Sequence, residues 1–191
     1  MGLIWRLSSA SKEDREKTDG TKFTWGDFAE KLIQLMLSRH GNAERIICVN
    51  NNYSQISSIK DSERILRQSK KQVPNVYMKA EHQFPNAMEY NDILSKSENK
   101  SRLQGFLKSQ LQMTADSTDT EIIYIVDGES SENLSRHDFE NHLMCKHAEA
   151  DTAMFTVYNS PRQSGYRESV VIDTGDTDNY VQAANVAKKK S

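Results

Sequence analysis

The sequence predicts an α/β fold, with a mostly parallel central sheet of about four or five strands flanked by helices on both faces. Three observations carry that prediction. Short apolar runs at 45–49, 121–126 and 169–172 each end at a polar turn, as strands buried on both faces do. Stretches with apolar residues at three-to-four spacing lie between them, as crossover helices would. The 191 residues, 36% of them hydrophobic, suffice for one core, and no internal repeat or long low-complexity tract divides the chain.

Leu3 to Leu7 reads as a first strand, and the polar, charged run from Ser8 to Thr21 as an exposed loop. Thr24 is placed to cap a helix from Trp25 to about Arg39, with Phe28, Leu32, Leu35 and Met36 on one stripe and Ala29 and Ile33 widening it. Gly41 closes that helix. Arg45–Val49 is the second strand, and Asn50, Asn51, Asn52 and Tyr53 form a polar turn at its carboxyl end. A basic tract follows, in which Lys60, Arg64, Arg67 and Lys71 recur at helical spacing. These four are the candidate phosphate-contacting residues, although a solvated helix face is the commoner origin of such a pattern.

Val76 to Met78 is a candidate short strand. Asn91–Leu94 and Lys100–Met113 read as helical, the latter with Leu103, Phe106, Leu107 and Leu111 on one face. Glu121–Val126 is a buried strand that ends at the turn signal Asp127-Gly128, and Ser130–Lys146 is polar and mixed. Glu149 and Asp151 then open a helix carrying Ala153, Met154, Phe155, Val157 and Tyr158. A last strand, Ser169 to Ile172, runs into the acidic turn that holds Asp176 and Asp178.

Composition excludes several classes. A net charge of -2 and a pI of about 6.2 rule out a global polycation, so any nucleic-acid contact needs a local basic face. Cys48 and Cys145 stand far apart without metal-type spacing and suit reduced thiols, which points to a cytoplasmic or nuclear setting. No stretch approaches a membrane span, so no membrane partner is expected. Neither a glycine-rich phosphate loop nor a nucleophile elbow is present, and no small-molecule cofactor is expected. His137, His142, Cys145 and His147 cluster loosely but match no zinc spacing. The sequons at Asn52, Asn99 and Asn133 carry little meaning without a secretory signal.

The acids of the last third are the candidate chemistry. In open α/β sheets ligands bind beyond the carboxyl ends of strands. Glu149, Asp151, Asp176 and Asp178 converging there would offer the hard oxygen donors that Mg²⁺ or Mn²⁺ prefers. From spacing alone, helix capping is the commoner explanation, because acids favour first helical turns.

Resemblance shifts that balance. The segment from His147 to Thr152, followed by Val170–Asp173 and Asp176-Thr177-Asp178, resembles a PIN-like (flap-endonuclease-like) nuclease domain of uncharacterised, transposon-associated animal proteins. Phe23–Leu32, Ile46–Tyr53, Ser58–Arg64, Phe84-Pro85, Asn99–Gln104 and Glu121–Tyr124 extend the likeness over most of the chain. It implies a single PIN-like domain over 1–191, truncated at its C-terminal end. It also implies phosphodiester hydrolysis with one or two divalent cations, Mg²⁺ or Mn²⁺. Position by position, Glu149, Asp151, Asp176 and Asp178 match its acidic ligands and catalytic residues. Asn51 falls where the family has an acid, which keeps an oxygen donor but loses its charge. Gly175 likewise stands where an acid is usual, and 3–7 carries none. Weak cation binding and low activity follow, because Mg²⁺ relies on carboxylate charge. The alternative is a catalytically inactive PIN-like module that binds nucleic acid or a protein partner.

Overall fold

The computed structural model describes residues 22–40, 43–51, 73–126, 130–139 and 154–155. Over these the chain is a mixed α/β structure. Helix α1 (Trp25–His40) leads into strand β1 (Arg45–Val49). Helices α2 (Ala87–Ile93) and α3 (Ser97–Ala115) follow, and then strands β2 (Glu121–Val126), β3 (Ser130–Asn133) and β4 (Asp138–Phe139).

Helix α1 begins at Thr24, as its sequence predicts. The Thr24 hydroxyl oxygen accepts the Asp27 N–H at 3.2 Å, and the Asp27 carboxylate accepts the Thr24 N–H at 2.8 Å. This reciprocal box satisfies end groups that a helix otherwise leaves bare. The next two donors are also used: the Trp25 N–H bonds the His82 carbonyl and the Gly26 N–H bonds that of Ala80, both at 2.9 Å. A Cβ on Gly26 would stand 3.0 Å from the Ala80 oxygen, so the absent side chain permits this close approach. Trp25, Phe28, Ala29 and Ile33 are buried, one face at helical spacing. Asn86 and Glu89 build a second box at α2, each accepting the other's N–H at 3.0 Å.

Helix α3 buries Asn99, Leu103, Leu107, Leu111 and Ala115, a row at every fourth position. Its upper half closes an aromatic cluster of Trp25, Phe28 and Tyr90, with Phe23, Phe84 and Phe106 against it. Phe28 and Phe84 stack with centroids 4.6 Å apart, and Trp25 meets Phe84 edge-on at the same distance. Its lower half docks on the sheet, where Leu111 and Ala115 meet Ile33, Ile122, Tyr124 and Leu134. Cys48 and Met36 flank that second cluster, with sulfurs 3.8 Å apart.

The sheet order is β1-β2-β3-β4. β1 and β2 run parallel, with Arg45 opposite Glu121 and Val49 opposite Ile125. β2 and β3, and β3 and β4, pair antiparallel. Over the described residues the sheet is therefore mixed and not mostly parallel. The cause is local: connections as short as 127–129 and 134–137 permit only antiparallel neighbours. The mixed polar composition of 130–146 hid β3 and β4, whose Ser131 and Asn133 are buried despite being polar. Conversely, Val76–Met78 belongs to no strand. On the sheet face away from α1 and α3, Ile123 and Ile125 pack with Ile47 and Val49. Among the described residues helices cover one face only. Leu3–Leu7, Gly41 and Ser169–Ile172 lie outside the described residues.

Candidate functional site at the carboxyl edge of the parallel pair

Five consecutive residue pairs of β1 and β2 lie side by side, so the two strands end together near Val49 and Ile125. Beyond β1 come Asn50 and Asn51. The Asn50 amide nitrogen reaches the Ile125 carbonyl at 3.5 Å, tying the turn to the neighbouring strand. The Gln104 amide of α3 donates to the Asn51 main-chain carbonyl at 3.0 Å. The Tyr124 hydroxyl in turn donates to the Gln104 carbonyl at 3.0 Å. The carboxyl edge is thus fixed from two sides, by the adjacent strand and by a helix.

Two titratable groups among the described residues, Tyr124 and Cys48, lie near this edge. Burial, and then the neighbouring Cys48, push the Tyr124 phenol above its ordinary value, against a smaller opposing effect of the Asn50 hydrogen bond. It remains a protonated donor near neutral pH. Burial also pushes the Cys48 thiol up, to about 12, so it is a poor nucleophile. Asn51 follows β1 directly after Asn50, its main-chain carbonyl held by the Gln104 amide.

The other predicted ligands, Glu149, Asp151, Asp176 and Asp178, lie outside the described residues, as do the basic residues Lys60, Arg64, Arg67 and Lys71. Among the described residues no three His, Cys, Asp or Glu side chains come together as a metal site. The amide of Asn51 does not by itself suit Mg²⁺ or Mn²⁺, which need several charged oxygens. His137 sits in the β3–β4 turn with φ of 54°, its Nε2 3.2 Å from Asp116. Its ring is thus engaged with the Asp116 carboxylate at the surface. Among the described residues no helix is long and apolar enough to cross a membrane.

Two polar centres escaped sequence reasoning. The first is Asn99, fully buried on α3: its Oδ1 accepts the Val76 N–H at 2.9 Å, and its Nδ2 donates to the carbonyls of Pro74 and Ile93 at 3.0 Å. Its signal was an amide on the same four-residue row as Leu103, Leu107 and Leu111. The second is Glu121 at the amino edge of β2. Its carboxylate takes Arg45 on one oxygen, and both Arg136 and the Asn133 amide on the other at 2.8 Å. Partial burial alone would raise the Glu121 pKa, but hydrogen bonds from Asn133 and Arg45 and the charges of Arg45 and Arg136 outweigh it and hold it low. Asn99 and Asn133 are 0% and 1% exposed, so neither sequon can carry a glycan in the folded chain.

No protein-family model, curated protein or solved structure matches the chain.

Proposed function

We propose that the chain is a PIN-like module of low metal-dependent phosphodiesterase activity, acting at the carboxyl edge of β1 and β2. The observation that carries this reading is the position of Asn51. It follows the end of one strand of a parallel pair, where α/β sheets bind their ligands. The family pattern has an acid at that position. The cation ligands of the reading are Glu149, Asp151, Asp176 and Asp178, and the substrate is a nucleic-acid phosphodiester. The second reading, an inactive module that binds nucleic acid or a protein partner, is favoured by the same residue, since an amide supplies no charge to a cation.

Calorimetric Mn²⁺ titration and cleavage of labelled single- and double-stranded DNA and RNA test the proposal. Asn51→Asp should tighten cation binding and raise cleavage, because it restores one charged oxygen. Asp178→Asn should abolish both. Equal cleavage by wild type and Asp178→Asn would place the active site elsewhere. Binding without cleavage in every variant, Asn51→Asp included, would leave the inactive module as the function.

A further inference from the structure

The segment 73–79 belongs to no helix or strand, yet it is a strap held by several side chains. Asn99, wholly buried, grips Pro74 and Val76. The Lys96 ammonium donates to the Val73 carbonyl at 3.2 Å, and the Arg102 guanidinium reaches that of Val76 at 3.5 Å. At the far end the His82 ring meets the Tyr77 carbonyl at 3.2 Å, while the His82 carbonyl is held by Trp25. Yet the largest side chain of this strap is turned outward: Tyr77 is 70% exposed. The Arg102 guanidinium lies over its ring, 4.3 Å from the centroid.

We propose that Tyr77 and Arg102 form a stacking platform for one base of a single-stranded nucleic acid, with Arg102, Lys96 and Lys79 facing its backbone. This inference deepens the function proposed above by naming a contact for its substrate class. Base–aromatic stacking tolerates any sequence and gains from an adjacent cation. The cations have donors to give: an ammonium has three and a guanidinium five, while the strap carbonyls use one of each. Local charge favours a polyanion. Residues 73–81 and 96–102 carry four cations, Lys79, Lys96, Lys100 and Arg102, against two acids, Glu81 and Glu98, within a chain of net charge -2. Arg102 and Gln104 flank the buried Leu103 on α3, so the platform and the Gln104–Asn51 contact lie on different sides of that helix. Asn99, Lys96 and Arg102 hold the strap beneath Tyr77 in place. Such rigidity lowers the ordering cost of binding.

Fluorescence anisotropy with labelled oligo(dT), oligo(U) and a blunt DNA duplex tests this on the full chain without divalent metal. Wild type should bind both single strands more tightly than the duplex. Tyr77→Ala should weaken single-strand binding about tenfold, and Tyr77→Trp should retain it. Arg102→Gln should weaken binding and flatten its salt dependence. Tyr77 is exposed, so the Tyr77 variants should unfold at the wild-type urea midpoint. Single-strand binding unchanged in Tyr77→Ala, or absent in wild type, would overturn the platform. Cleavage by Asn51→Asp that persists in that case would leave the function above standing, so the two failures are distinguishable.

Discussion

The Tyr124 hydroxyl donates to the main-chain carbonyl of Gln104 at 3.0 Å, so the central strand and the longest helix share a buried polar contact beneath the Asn50–Asn51 turn. Tyr124→Phe removes this donor and the phenol oxygen that the Asn50 side chain meets. The expected loss is about 1 kcal/mol, or roughly 2–4 °C in Tm. Urea unfolding measures it, and an unchanged midpoint would show that the bond contributes nothing net.

The same substitution at Tyr90 should behave oppositely. The Tyr90 hydroxyl is buried in the aromatic cluster at 2% exposure and has no hydrogen-bond partner among the described residues. An unmade buried hydrogen bond is a cost, so Tyr90→Phe should leave stability unchanged or raise it by up to about 1 kcal/mol. A loss as large as that of Tyr124→Phe would mean that the hydroxyl is bonded.

Asn99→Ala should be the most damaging single change on α3. It strands the Val76 N–H, takes a donor from the carbonyls of Pro74 and Ile93, of which Ile93 still accepts the Lys96 N–H, and costs roughly 3 kcal/mol. Asn99→Asp keeps the acceptor but loses both donors and buries a charge, so it should not rescue. Limited proteolysis should cut 73–79 faster in both variants; an unchanged cutting rate would show that Asn99 does not hold the strap.

Glu121 links stability to acid. Its folded pKa lies below the ordinary carboxylate value, so its contribution is fully present above the unfolded pKa, near 4.3, and is lost as pH falls through the lower folded value. Glu121→Gln should therefore destabilise the domain at pH 7 and matter progressively less as the acid range is entered. Urea midpoints for both proteins across that range check the sign. A difference that grows toward low pH would refute it.

The sequence by itself determined the local elements. Thr24 with Asp27 set the start of α1, four-residue spacing of Leu103, Leu107 and Leu111 set α3, and the apolar runs at 45–49 and 121–126 set β1 and β2. These are near-neighbour effects of capping, periodicity and side-chain bulk, which a linear reading captures. It also placed Asn51 at the carboxyl edge, because a polar turn after a buried strand can go nowhere else. Tertiary structure alone decided the rest. Ser131 and Asn133 look like loop residues until β2 supplies backbone partners and Glu121 takes up the Asn133 amide. Val76–Met78 has strand composition, but Asn99 and Arg102 from α3 claim the Val76 N–H and carbonyl that a ladder would use. The contacts that hold Val76 and Tyr124 come from residues 20 or more positions away, Asn99 and Gln104, and linear spacing holds no trace of them.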